Sequence, residues 1–201
     1  MNSRKIESAI YFANGLALMV SALASFFFGG LDEDGLRTFI RLTAGQATLL
    51  FVAVLVGAPL ESRVPNGLTR WLDSLSPALL KATALSMLAH LSALVFLALA
   101  FPEPFRSTLT PLALAAGGLA YTLLMMFAFT PKHVAVHALG PLAWRRTQAV
   151  GFGFIWIIFV RTYFSRTAED PTAIFFLVLL GFSAFFRGTW AFRTQPGSNS
   201  L

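Results

Sequence analysis

Apolar residues fall into six long blocks divided by short polar stretches, at about 8–29, 38–60, 77–101, 111–130, 147–163 and 171–191. None of them alternates with period two, which would mark a half-buried strand. A helix that crosses a bilayer needs about 20 mostly apolar residues, and these blocks meet or approach that length. The pattern therefore predicts an all-α, polytopic membrane protein: one domain over 1–194 made of six transmembrane helices, followed by a disordered polar tail at 195–201.

Helix-start chemistry sharpens three of these boundaries. Ser76 precedes Pro77, Thr110 precedes Pro111 and Asp170 precedes Pro171. Each pair places an oxygen-bearing cap just ahead of a proline at the first helical position, where the missing N–H costs nothing. The first block follows Arg4 and Lys5 and contains Ala22-Leu23-Ala24, a signal-peptide-like arrangement. It is long enough to span, however, and is read as the first membrane helix. Connections are short, so consecutive helices are expected to be antiparallel neighbours in one bundle.

Composition agrees with lipid as the solvent. Hydrophobic residues make up 56% of the 201 positions and charged ones only 12%, with a mean hydropathy of +0.70. The 21 phenylalanines suit a lipid-facing surface. There is no cysteine, which excludes disulfides, thiolate metal sites and iron–sulfur clusters. The net charge of +6 would suggest nucleic acid in a soluble domain, but here topology explains it and no nucleic-acid partner is expected. With the N-terminus inside, the cytoplasmic segments hold Arg4, Lys5, Arg63, Arg70, Lys81, Lys132, Arg145, Arg146, Arg187 and Arg193. The outer side keeps Arg37, Arg41, Arg106, Arg161 and Arg166. Basic residues gather on the cytoplasmic side of membrane proteins, so both termini are placed in the cytoplasm.

Several local strings occur in a consistent order. The second block reads R-L-T-A-G-Q-A-T-L-L-F from Arg41 to Phe51 and ends at Ala58-Pro59-Leu60. L-T-R-W-L follows from Leu68, and S-M-L-A-H-L from Ser86. Later come Thr130-Pro131, Leu139-Gly140-Pro141, Trp144-Arg145-Arg146-Thr147-Gln148 and G-F-G-F-I-W-I-I-F from Gly151. Together, over roughly 41–166, they resemble the ferric reductase-like transmembrane domain family in its small bacterial form. The resemblance implies a six-helix core with haem b held between histidines of the third and fifth helices, carrying electrons across the membrane. The chain departs from that pattern at the ligands. Where the family often has two histidines three apart, this chain has Met87 and His90. Where the family has Leu-His after Trp-Arg-Arg, it has Thr147-Gln148, and a later ligand position falls near Arg161.

A six-coordinate haem iron needs donors on opposite faces, supplied by facing helices. His90 can be only one of them. Gln148 is a poor iron ligand, Arg161 has no free lone pair, and Met87 sits one turn from His90 on the same helix. His90 is thus either a single axial ligand or a neutral imidazole hydrogen-bonded inside the bundle, with Ser86 one turn earlier as the expected partner. Asn14 and Gln46 are expected to bond across helices. Arg41 and Arg161, near the outer ends of their helices, could grip haem propionates, or else snorkel to the interface. His133 and His137, four apart, share one face of a short helix and could share a metal; the plainer reading is two interfacial histidines. Ala115, Ala116, Gly117, Gly118 and Ala120 make a small-residue face suited to close helix packing, within the bundle or against another subunit.

Two functions follow. In the first the chain binds no cofactor and is a non-catalytic membrane subunit, surrounded by lipid and packed against a larger membrane complex. In the second it is a haem b electron-transfer protein with His90 as axial ligand, a membrane oxidoreductase component.

Overall fold

The computed structural model describes residues 3–30, 32–103, 105 and 110–193. Arg106 and the tail at 195–201 lie outside the described residues. Among these residues every regular element is a helix: α1 (Ser3–Gly29), α2 (Glu33–Arg63), α3 (Gly67–Ala100), α4 (Pro111–Phe129), the short α5 (Lys132–Leu139), α6 (Pro141–Phe164) and α7 (Thr172–Arg193). Five of them (α1, α2, α3, α4 and α6) are long and apolar enough to cross a membrane. The apolar part of α7, Thr172–Arg187, is shorter. The chain is a helical membrane protein.

Three starts differ in instructive ways. Thr110 caps α4 as expected, its hydroxyl accepting from the Ala113 N–H at 3.2 Å, with Pro111 in the first turn. Asp170 caps α7 from outside, its Oδ1 accepting from the Thr172 N–H at 2.9 Å and the Thr172 hydroxyl at 2.6 Å. The expected cap at Ser76 is not used. Helix α3 begins ten residues earlier, at a capping box in which Asn66 Oδ1 accepts from the Thr69 N–H at 2.9 Å and Thr69 Oγ1 accepts from the Asn66 N–H at 3.1 Å. Pro77 lies inside α3 and Pro59 inside α2. Each removes one helical hydrogen bond, which is tolerated where neighbouring helices hold the segment. What reads as a loop at 61–76 is therefore two helix ends joined by the turn Val64-Pro65-Asn66. Helix α6 likewise starts at Pro141, six residues before the expected 147. Gly140, at φ +80°, turns the chain between α5 and α6, and Arg145 and Arg146 fall within α6.

The Asp170 carboxyl is held below the ordinary carboxylate range, chiefly by the Thr172 hydroxyl and then by the Thr172 N–H and the charges of Arg41 and Arg166. A depressed carboxyl stabilises the fold above its ordinary pKa, and the contribution disappears as pH falls through the lowered value. Asp170→Ala is accordingly expected to cost about 1 kcal/mol near pH 7, with the difference from wild type shrinking below pH ~4. Unfolding by SDS at both pH values measures it.

Helix α2 is the hub. It packs along α3 and also against α1 and α7, while α6 meets α4, α5 and α7. At its middle Ala47, Thr48 and Phe51 are fully enclosed. The α1–α2 corner is tight enough for the backbones of Gly29 and Gly35 to touch. Gly30, at φ +76°, turns the chain there, and Asp32 caps α2 by accepting from the Gly35 N–H at 3.2 Å.

Candidate functional site

Polar side chains inside the bundle form two rungs one helical turn apart on the seam between α2 and α3. In the first, Asn14 of α1 is the shared acceptor. Its Oδ1 accepts from Gln46 Nε2 at 2.7 Å and from Ser86 Oγ at 2.9 Å, and its backbone carbonyl also accepts from Gln46 Nε2 at 3.2 Å. Asn14 and Ser86 are buried, and three helices are tied at one point. Gln46 and Asn14 thus bond across helices as their positions suggest. Replacing Asn14 with leucine strands both donors. It is expected to cost about 1–2 kcal/mol, against roughly 0.6 kcal/mol for Ser86→Ala, which removes one bond; SDS unfolding curves of the two variants give the comparison.

The second rung holds His90. Its Nδ1 lies 2.9 Å from the Ile40 carbonyl oxygen and 3.3 Å from Thr43 Oγ1. A carbonyl oxygen only accepts, so Nδ1 carries the proton and the neutral ring keeps its lone pair on Nε2. Thr43 Oγ1 in turn donates within its own helix, to the Phe39 carbonyl at 2.8 Å or the Ile40 carbonyl at 3.1 Å. The ring lies beside Tyr121 of α4, with centroids 6.4 Å apart and planes at 28°. Ser86 is not the partner of His90, because Asn14 engages it.

Haem implied by the resemblance does not fit these residues. His90 is hydrogen-bonded to α2 and lies beside Tyr121 of α4, whereas the resemblance puts the second axial donor on α6. One apolar cluster runs from Leu80 and Ala84 of α3, through Phe51 of α2 and Leu124 and Phe127 of α4, to Phe152, Ile155 and Phe159 of α6. Its rings interlock: Phe51–Phe152 at 6.0 Å, Phe51–Phe159 at 5.5 Å and Phe127–Phe152 at 5.0 Å between centroids. Phe127 closes further against Gly151, which a Cβ would push aside. A flat macrocycle between α3 and α6 would have to displace this packing. On α6 itself, Gln148 is half-buried and Arg161 is exposed.

The remaining candidates lie apart. His133 and His137 are one turn apart on α5, both exposed. Among the described residues no group of three or more His, Cys, Asp or Glu is gathered for a metal ion. Arg41 is exposed, eight residues into α2 rather than at its end. It acts on Asp170 and on Arg166, in the turn after α6: burial, then Arg41, lowers the Arg166 pKa below the usual guanidinium range, while Tyr163, Asp170 and Glu169 act in the opposite sense. Arg166 is thus the cation beside Arg41. No protein-family model, curated protein or solved structure matches the chain.

Tyr163 and Thr48 make a third internal contact between α6 and α2, hydroxyl to hydroxyl at 3.0 Å, with Tyr163 stacked on Phe176 of α7 at 4.6 Å and 16°. Trp156 Nε1 donates to the Leu180 carbonyl at 3.0 Å. These two contacts join α6 to α2 and to α7, the kind of interhelical fastening expected in a bilayer.

Proposed function

We propose that this chain is a six-span protein of the bacterial inner membrane, with both termini cytoplasmic, that keeps the ferric reductase-like pattern without its bis-histidine haem ligation. It serves as a non-catalytic membrane subunit packed against a larger complex. The observation that carries this reading is the second rung: the one histidine within a long apolar helix is bonded to the backbone of α2, and an interlocked aromatic core occupies the space toward α6. The partner side of the proposal draws on α4. Ala115 and Gly118 are exposed, and nothing lies within 4 Å of a Cβ added at Gly117 or Gly118, so a second helix could approach the backbone closely there.

Blue native electrophoresis of gently solubilised membranes tests assembly. The wild type should migrate in a larger complex that Gly118→Leu breaks while leaving the helical fold intact; monomeric migration of both proteins would reject the subunit reading. Because the chain has no native cysteine, single cysteines at Asn66 and at Thr167 report topology. An impermeant thiol reagent added outside should label position 167 and not 66, and the reverse would reject the orientation.

One observation favours the second reading, a haem b electron-transfer protein. Donation from Nδ1 to a backbone carbonyl is how metal-ligating histidines are oriented, with Nε2 toward the metal. In that reading His90 is the axial ligand of a haem whose other face is open or is completed by a partner chain.

A further inference from the structure

A groove of about 350 Å³ runs between α1 and α3, lined by Ile6, Ala9, Ile10, Ala13, Trp71 and Leu75, with Lys5 at one end. Among the described residues helix α1 packs mainly against α2 and α3, and the groove lies beside its contact with α3. Ile6, Ala9, Ile10 and Ala13 fall on one face of α1 by their spacing, and Ala9 and Ala13, one turn apart, are its small members. The lining is almost wholly apolar, so an occupant satisfied there is a hydrocarbon chain. Two features lie near the end of α1 where Lys5 sits. Lys5 is exposed, and Trp71, 44% exposed, supplies an indole of the kind that settles at headgroup depth. Glu7 is two residues from Lys5 and therefore on another side of the helix.

From this combination we infer that the groove binds an anionic glycerophospholipid, one acyl chain lying along Ala9 and Ala13 and the phosphate held by the Lys5 ammonium. The charge at the mouth selects this occupant. An apolar helix from a partner protein would gain nothing from a lysine at the end of its seat, and a zwitterionic lipid would place a second cation near it. A compact ammonium on a flexible stem suits a phosphate as a point charge, and one such residue near an anionic surface adds about fivefold in affinity. The lipid would also cover part of α1, the least enclosed of the five long apolar helices. This inference is independent of whether the chain binds haem or a partner complex.

Native mass spectrometry of the full chain released from mild detergent tests it, with phosphatidylglycerol and phosphatidylcholine of identical acyl chains as probes. Wild type should retain phosphatidylglycerol at least about fivefold better. Lys5→Gln should erase the preference, lowering phosphatidylglycerol retention more than phosphatidylcholine retention. Ala13→Leu, at an exposed position that the fold does not use, should reduce both lipids by filling the groove. Equal retention of the two lipids by wild type, or an undiminished preference in Lys5→Gln, would overturn the inference. So would a change of oligomeric state in Ala13→Leu without loss of lipid, because the groove would then be a protein contact.

Discussion

Gly35→Ala is expected to destabilise the bundle by about 3 kcal/mol, the largest effect among Gly→Ala changes at the described glycines. A Cβ at residue 35 collides with the Gly30 carbonyl oxygen and crowds the Gly30 and Gly29 carbonyl carbons at 3.0 and 3.2 Å. These neighbours are backbone atoms of the α1–α2 corner, already fixed by the positive φ of Gly30 and by the Asp32 cap. A side chain could rotate away; a turn can only open. Opening it separates α1 from α2 and weakens the Asn14 rung, which depends on that contact. Gly118→Ala is the matched control, since nothing lies within 4 Å of its added Cβ. There the expected change is slightly stabilising, by about 0.5–1 kcal/mol, from the better helix propensity of alanine. SDS unfolding followed by far-ultraviolet circular dichroism measures both, and similar values for the two variants would contradict the corner geometry.

The second large effect is expected at Phe51. Its ring is fully enclosed and touches Phe152 and Phe159 of α6, so it couples the hub helix α2 to the far side of the bundle. In a water-soluble core Phe→Ala costs about 3–5 kcal/mol, part of it for transfer from water and part for the cavity left behind. A membrane helix separates into lipid rather than water, which removes most of the transfer part. About 2–3 kcal/mol should remain from lost packing. Phe51→Leu should restore more than half of that by refilling volume. Equal destabilisation by Ala and Leu would show that shape, and not the void, sets the cost.

The membrane character of the chain was legible because lipid imposes a coarse rule, about 20 apolar residues per span, and five helices obey it. Helix ends were legible only where the cap adjoins the apolar block, as at Thr110 and Asp170. They were missed where the helix runs on beyond that block. Helix α3 carries Arg70 and Asp73, and α6 carries Arg145 and Arg146; charges at an interface look like a loop in a hydropathy pattern yet are compatible with continuous helix. The Asn66 to Thr69 capping box lies in the polar stretch between two apolar blocks, away from the hydropathy boundary that Ser76-Pro77 adjoins.

Of the candidate site, the sequence showed which polar groups lie inside but not how they pair. Asn14 and Gln46 found each other, whereas Ser86 joined them instead of His90. The usable signal was spacing: Thr43 and Gln46 on α2, and Ser86 and His90 on α3, repeat at three and four residues and so place two polar rungs on facing sides of one seam. Tyr121, Tyr163 and Arg166 had no such marker. Their neighbours come from α4, α6 and the turn after α6, and only the tertiary arrangement brings them beside His90, Thr48 and Arg41.

The central claim is that His90 fastens α3 to α2 and binds no haem. It is tested most directly by the absorption spectrum of the protein purified in mild detergent after expression with ample haem supply, oxidised and dithionite-reduced, beside His90→Ala. The account predicts no Soret band in either protein and a loss of stability of roughly 1 kcal/mol in the variant. A Soret band that sharpens on reduction and vanishes in His90→Ala would contradict it and establish the electron-transfer reading.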